Sequence, residues 1–259
     1  MRFRSYRGAL AALFLVGLLA LPSYPVLASD HYNLEEGLPV EVEDSIPTAY
    51  LNREIQGFFR WERTGDDKDR FQASTILEYG FMRNAQAELE IPFLWGDGTR
   101  KEEGLGDVSL SGLYNFNQET PWIPGVALKG SLDLPTDEKS AGVDTTLKLI
   151  ASKTLGRSTL WNRLHLNASW KHNNEAKDDE REDYYVAVVG WDVRVGPDSI
   201  LIIDFIREQQ EEKNKESNIV ETGLRYQLTP LTVLAAGVGA GIGDDSPEVR
   251  TTLAFQHSF

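Results

Sequence analysis

Charged side chains recur at every second position through much of this 259-residue chain. The acids on this face are Glu54, Glu62, Glu78, Glu88, Glu90, Asp107, Asp133, Asp192, Asp204, Glu208 and Glu221. The bases are Arg60, Lys129, Lys148, Arg163, Lys171, Arg194, Arg225 and Arg250, and His165 lies among them. Two kinds of chemistry suit such a face. It can line a polar path for a small solute, or its charges can neutralise one another as ion pairs filling a narrow interior. The sequence leaves both open. If there is a path, the acidic surplus predicts a mild preference for cations.

Nucleophilic chemistry has less support. His165, Asn167 and Ser169 share a strand face, but four residues of strand separate His165 from Ser169 by about 13 Å, too far for a nucleophile and its base. His257 and Ser258 are adjacent and so point to opposite faces. No spacing matches a calcium-binding EF-hand loop, and no glycine-rich phosphate loop occurs. The expectation is therefore a non-enzyme with no catalytic residue, cofactor or bound metal.

The element that must carry these residues is the β-strand. Val249, Thr251, Leu253, Phe255, His257 and Phe259 alternate with Arg250, Thr252, Ala254, Gln256 and Ser258, and a period of two marks a sheet whose faces meet different surroundings. The same pattern sets Ile55, Gly57, Phe59 and Trp61 against Glu54, Gln56, Arg60 and Glu62. It continues through about twelve strands between Ala49 and Phe259, the seventh presenting Leu160, Leu164, Leu166, Ala168 and Trp170. The ninth, near Ile200 to Glu208, is apolar on both faces apart from Asp204, so its register is open, and the eleventh is rich in Gly and Ala. Tight connections at Gly80–Arg83, Leu155–Arg157, Gly196–Pro197 and Thr229–Pro230 alternate with long ones at Gly96–Gly104, Pro135–Ala141, His172–Glu182 and Gln209–Ser217. Aromatic residues end the strands: Tyr79, Phe116, Trp191, Tyr226 and Phe259 at the short-turn rim, Trp61, Trp95 and Trp170 at the other. An even strand count, unequal rims and two aromatic girdles predict an all-β, antiparallel up-and-down transmembrane β-barrel.

Ahead of the barrel, Arg2, Arg4 and Arg7, an apolar run from Ala9 to Leu21 and Val26-Leu27-Ala28 read as a signal peptide over residues 1–28. Its removal takes three arginines and no acid, leaving 23 basic against 40 acidic residues. That surplus argues against nucleic acid as a partner. There is no cysteine, so a core or a closed sheet must hold the chain. Residues 29–48 show no clear period and carry Pro39 and Pro47. They read as an irregular segment lying in the periplasm or tucked into the barrel.

Two resemblances add to this. The closing strand with its final Phe259 resembles the last strand of bacterial outer-membrane barrels. That likeness implies a location in the outer membrane, closure of the barrel against the first strand, and a role for Phe259 as the signal read by the barrel assembly machinery. The stretches Tyr79-Gly80-Phe81-Met82-Arg83-Asn84-Ala85-Gln86-Ala87-Glu88-Leu89, Ile91-Pro92-Phe93, Gly104-Leu105-Gly106-Asp107-Val108 and Gly130-Ser131-Leu132-Asp133-Leu134-Pro135-Thr136 resemble the MetA-pathway phenol-degradation family. It consists of exported barrels regarded as transporters, with no established catalytic residues. This implies a channel for small solutes, hydrophobic or aromatic ones included. The alternative is a non-conducting structural or adhesive barrel with a salt-bridged interior. In an outer membrane the partners would be lipid and lipopolysaccharide. The acidic loops at Asp66, Asp67 and Asp69, Glu102 and Glu103, and Asp178, Asp179 and Glu180 read as a solvated rim, or as a divalent-cation bridge to lipopolysaccharide phosphates.

Overall fold

A computed structural model describes residues 32–65, 67–99, 103–137, 140, 142–156 and 162–259. The signal peptide, Asp66, Glu102 and Leu160 lie outside the described residues. Thirteen strands form among them: β1 (Arg53–Arg63), β2 (Asp69–Met82), β3 (Ala85–Trp95), β4 (Gly104–Leu105), β5 (Val108–Asn117), β6 (Gly125–Leu134), β7 (Asp144–Thr154), β8 (Asn162–His172), β9 (Asp183–Gly196), β10 (Ser199–Gln209), β11 (Glu216–Thr229), β12 (Thr232–Gly241) and β13 (Val249–Ser258). The two-residue β4 pairs only with β3, at Phe93 and Leu94. The other twelve close a ring. Neighbours in the chain pair antiparallel, β3 pairs with β5, and β1 pairs with both β2 and β13. The fold is the expected antiparallel up-and-down barrel of twelve strands, with β4 as an addition within a long loop.

Two faces with different surroundings explain the alternation. Along β8 the outward Leu164 and Leu166 are exposed, while the inward Arg163, His165 and Asn167 are buried. On the outside, Phe59, Phe71, Phe93 and Trp95 gather near the long-loop rim, with the rings of Phe71 and Trp95 stacked 5.5 Å apart. Strand β1 begins at Arg53 rather than at Ala49. Before it, Leu51 N and Gly80 O hydrogen-bond at 2.6 Å, which ties the turn to β2 but leaves no regular ladder.

The segment before β1 lies inside the barrel. Leu34, Leu38, Val40, Val42, Glu43, Asp44 and Ser45 are all buried. Leu34, Val40 and Val42 pack against Val188, Ile200, Ile202, Ile206 and Ile219. This resolves the open register of β10: Leu201, Ile203 and Phe205 point outward, whereas Ile200, Ile202 and Ile206 point inward and cover the segment. Each buried Val or Leu contributes about 1.5–3 kcal/mol, so the apolar patch is a docking surface of real strength. Leu38 makes a second contact, with Phe58, Ile76 and Ala254.

The wall makes room where it carries glycine. A Cβ on Gly190 would come within 2.6 Å of Val42, and one on Gly223 within 2.4 Å of Pro39. Gly237, in the Gly- and Ala-rich β12, faces the Pro39 carbonyl 2.7 Å from where its own Cβ would sit. Any side chain at these points would occupy space that the segment fills.

Candidate functional site

The interior is built from wall and segment together. Residues 32–48 contain five acids and no base, and the wall bases receive four of them. Glu41 lies 2.5 Å from Arg60 and 3.3 Å from Arg250. Glu43 takes Lys129 at 3.1 Å and Lys148 at 2.8 Å. Asp44 takes Arg163 at 2.7 Å, and Glu36 pairs with Lys148. Lys129 and Lys148 are direct cross-strand partners, an arrangement that repels until Glu43 lies between them. Five of the eight wall bases named from the sequence therefore pair with the segment. Wall pairs complete the network: Arg163 with Asp192 at 2.8 Å, Arg250 with Glu62 at 2.6 Å and with Glu221 at 3.1 Å.

Backbone groups of the segment are met in the same way. Val42 N donates to Asp204 Oδ2 at 2.8 Å. Asn167 accepts from Glu43 N and donates to Glu43 O, both at 2.8 Å. Thr48 N donates to Gln86 Oε1 at 2.6 Å, and Arg225 donates to Leu38 O at 2.8 Å. An irregular segment can be buried only if such partners replace the water it leaves.

On the long-loop side of the segment two adjoining cavities of about 480 and 570 Å³ form a vestibule. Eleven of the twenty inward-face residues named from the sequence border it: Arg60, Glu62, Glu88, Glu90, Asp107, Lys129, Asp133, Lys148, Lys171, Glu208 and Arg250. Arg163 borders a smaller cavity of about 300 Å³ on the short-turn side. Glu54, Glu78, His165 and Arg225 also point inward but border no described cavity. They are buried, because the inner segment and neighbouring wall side chains cover them. Asp107 lies just before β5 and works chiefly as a loop anchor, accepting from Thr136 N and Asp137 N at 3.1 Å and from Ser140 Oγ at 2.6 Å. Phe259 follows β13 at the short-turn rim, where its N–H donates to Arg53 O at 3.0 Å.

One constellation is visible only across strands. Ser152 on β7 and His165 on β8 are ladder partners, and their Oγ and Nδ1 lie 2.9 Å apart. His165 Nε2 lies 3.5 Å from Asp192 Oδ1. Ser, His and Asp stand in the order that activates a nucleophile, and comparing His165 with Ser169 along one strand misses it. Here the constellation secures the segment. Ser45 N donates to Ser152 Oγ at 3.0 Å, and Ser152 and His165 are buried.

At the short-turn rim Glu119 follows β5. Partial burial pushes its carboxyl up, but hydrogen bonds from Lys153 and from the Thr154 hydroxyl and N–H hold it below the usual glutamate range. Its contribution to stability is present above the unfolded-state value and is lost as pH falls through the folded one.

A barrel whose lumen is filled by its own leading segment invites comparison with known proteins. The family model described as "Putative MetA-pathway of phenol degradation" matches residues 44–259. The chain belongs to this family. Among solved structures, it is similar to the COG4313 outer membrane channel from Pseudomonas putida F1, with a TM-score of 0.64 and 15% identity over 85% of this chain and 100% of that one. It is also similar to the KdgM porin and the NanC porin, each with a TM-score of 0.56 and 10% identity over 80% of this chain, covering 99% and 100% of theirs. These likenesses show a shared fold, that of outer-membrane barrels. No curated protein matches the chain in sequence.

Proposed function

We propose that this family member is an outer-membrane channel for small solutes, with residues 32–48 acting as an internal plug after removal of a signal peptide at Ala28. The observation that carries this reading is the charged vestibule, open toward the long loops and ending on the plug. A barrel with a merely structural interior has no need of a water-accessible half. The long loops would face outward, with lipopolysaccharide around them, and both ends of the barrel chain would face the periplasm. The family's description makes phenol-like aromatic compounds the first solutes to test, and the acidic interior favours neutral or cationic forms over anionic ones. The test pairs membrane fractionation with conductance in planar bilayers and uptake by a deletion strain, comparing aromatic with aliphatic compounds. Outer-membrane location with small, cation-preferring conductance and reduced aromatic uptake in the deletion strain is expected. A soluble product, or a barrel that neither conducts nor affects any uptake, would favour the structural reading.

Phe259 is proposed to act in assembly. Its removal from a formed barrel loses one aromatic contact, about 1.5–3 kcal/mol, which a twelve-strand barrel can tolerate. Phe259→Ser should lower the yield of inserted protein in cells, while chain refolded in detergent regains its β structure. Normal insertion in cells would remove the assembly role.

A further inference from the structure

Three glutamates stand side by side across the inner wall. Glu54 faces Glu78 in the β1–β2 ladder, and Glu78 faces Glu88 in the β2–β3 ladder. Like charges directly opposite destabilise a sheet, so each needs a partner. Glu54 is saturated: Asn52 and Ser258 donate to one oxygen, Gln56 and Gln256 to the other. Glu78 is not. Gln56 donates to its Oε2 at 2.8 Å, but its Oε1 is buried with no donor. Glu88 has Lys129 at 2.9 Å, an ammonium it shares with Glu43.

The inner segment brings Glu35, another acid, to this place. One carboxylate oxygen each from Glu35, Glu78 and Glu88 lie within 4.8 Å of one another. Asn33, 4% exposed, donates to Glu35 at 2.7 Å and leaves its own amide oxygen buried without a donor. Two buried acceptors at this place, Glu78 Oε1 and Asn33 Oδ1, therefore have no donor. The paired lysines Lys129 and Lys148 have the opposite problem, and a residue of the segment answers it. Lys129 reaches Glu88, but Glu78 Oε1 keeps no donor among the described residues.

We propose that Glu35, Glu78 and Glu88 bind a calcium ion that pins the inner segment to β2 and β3. Calcium takes oxygen ligands at about 2.3–2.6 Å, so two oxygens on opposite sides of one ion lie about 5 Å apart. The observed spread fits a single coordination sphere. The cluster offers no nitrogen or sulfur, which disfavours zinc. A loose set of carboxylates suits calcium better than magnesium, which demands strict octahedral geometry.

The test uses the purified full-length barrel in detergent, stripped with EDTA and titrated at neutral pH with calcium chloride alone, followed by calorimetry and by unfolding temperature. Saturable binding near one ion per chain, with a raised unfolding temperature, is expected. Glu78→Gln, which preserves shape, should weaken binding on the order of tenfold or more and abolish the thermal shift. Glu35→Gln alters no strand, so it tests the same point should Glu78→Gln refold poorly. Circular dichroism confirms that both variants keep the barrel. No saturable binding by the parent would mean that protons alone neutralise the cluster, and the proposal fails. Equal binding by parent and both variants would place the ion on the acidic loops, and it fails equally.

Discussion

Gly190→Leu should expel the inner segment and raise conductance several-fold. A Cβ at this position would lie 2.6–2.7 Å from three atoms of the Val42 side chain, closer than van der Waals contact allows. The wall cannot yield, because Gly190 is held in two ladders, opposite Asp204 on β10 and His165 on β8. Overpacking of this kind costs about 1–3 kcal/mol where a core can adjust. Here the less constrained partner, the segment, moves instead. Its departure breaks the bond from Val42 N to Asp204 and uncovers Ile200 and Ile202. Gly112→Leu is the control, because Gly112 is exposed and its nearest neighbour to an added Cβ, Gln86 O, is 3.6 Å away. Single-channel recording should give larger, longer openings for Gly190→Leu and parental behaviour for Gly112→Leu. Unchanged conductance in a folded Gly190→Leu barrel would show that the segment does not limit the path.

Arg163→Met is expected to be the most destabilising single change in the interior. Arg163 is 2% exposed and serves two carboxylates, Asp44 of the segment at 2.7 Å and Asp192 of β9 at 2.8 Å. It also donates to the Tyr32 carbonyl. Removing one member of a buried ion pair costs about 3–5 kcal/mol, because the charge left behind has neither water nor partner. Here two acids are left behind. Denaturant titration of the detergent-refolded barrel measures the loss, and Arg194→Met is the comparison. Arg194 is only half-buried and donates to the rim carbonyls of Gly196 and Pro197, so losing it should cost about 1 kcal/mol. Similar losses for both variants would show that water reaches Arg163 freely.

The outer half of the molecule was legible from the sequence because the lipid-type face imposes a strict period of two. Most strands show it, β10 with its two apolar faces being an exception, and turns of unequal length fix the two rims. The inner half was not, because its partner has no period. Residues 32–48 look like a linker when read alone. Their signature is spread over the wall as anomalies: inward Ile200, Ile202 and Ile206 on a face that should be polar, and Gly223 and Gly237 where larger side chains would serve a plain sheet. Glu54, Glu78, His165 and Arg225 are buried on the inner face, as alternation places them. Alternation gives direction, not depth, so it could not separate Glu90, which borders the vestibule, from Glu78, which is sealed beneath the segment. Nor could it reveal that Ser152 meets His165, since cross-strand register is a property of two strands.

The seam between β1 and β13 also determines how the molecule comes apart under load. Every other ladder joins strands adjacent in the chain, or separated only by the short β4, whereas the seam joins Glu54 to Ser258 across 204 residues. Closing so long a loop costs on the order of 3 kcal/mol more than closing one of ten residues. That entropy favours parting the seam and, once it is parted, opposes its re-closure. A barrel pulled by its carboxy-terminus should therefore yield first at the seam and then unzip one hairpin at a time, from β13 and β12 back toward β2. Each force peak would mark a pair of strands, and the final peak would come when the inner segment loses its last wall.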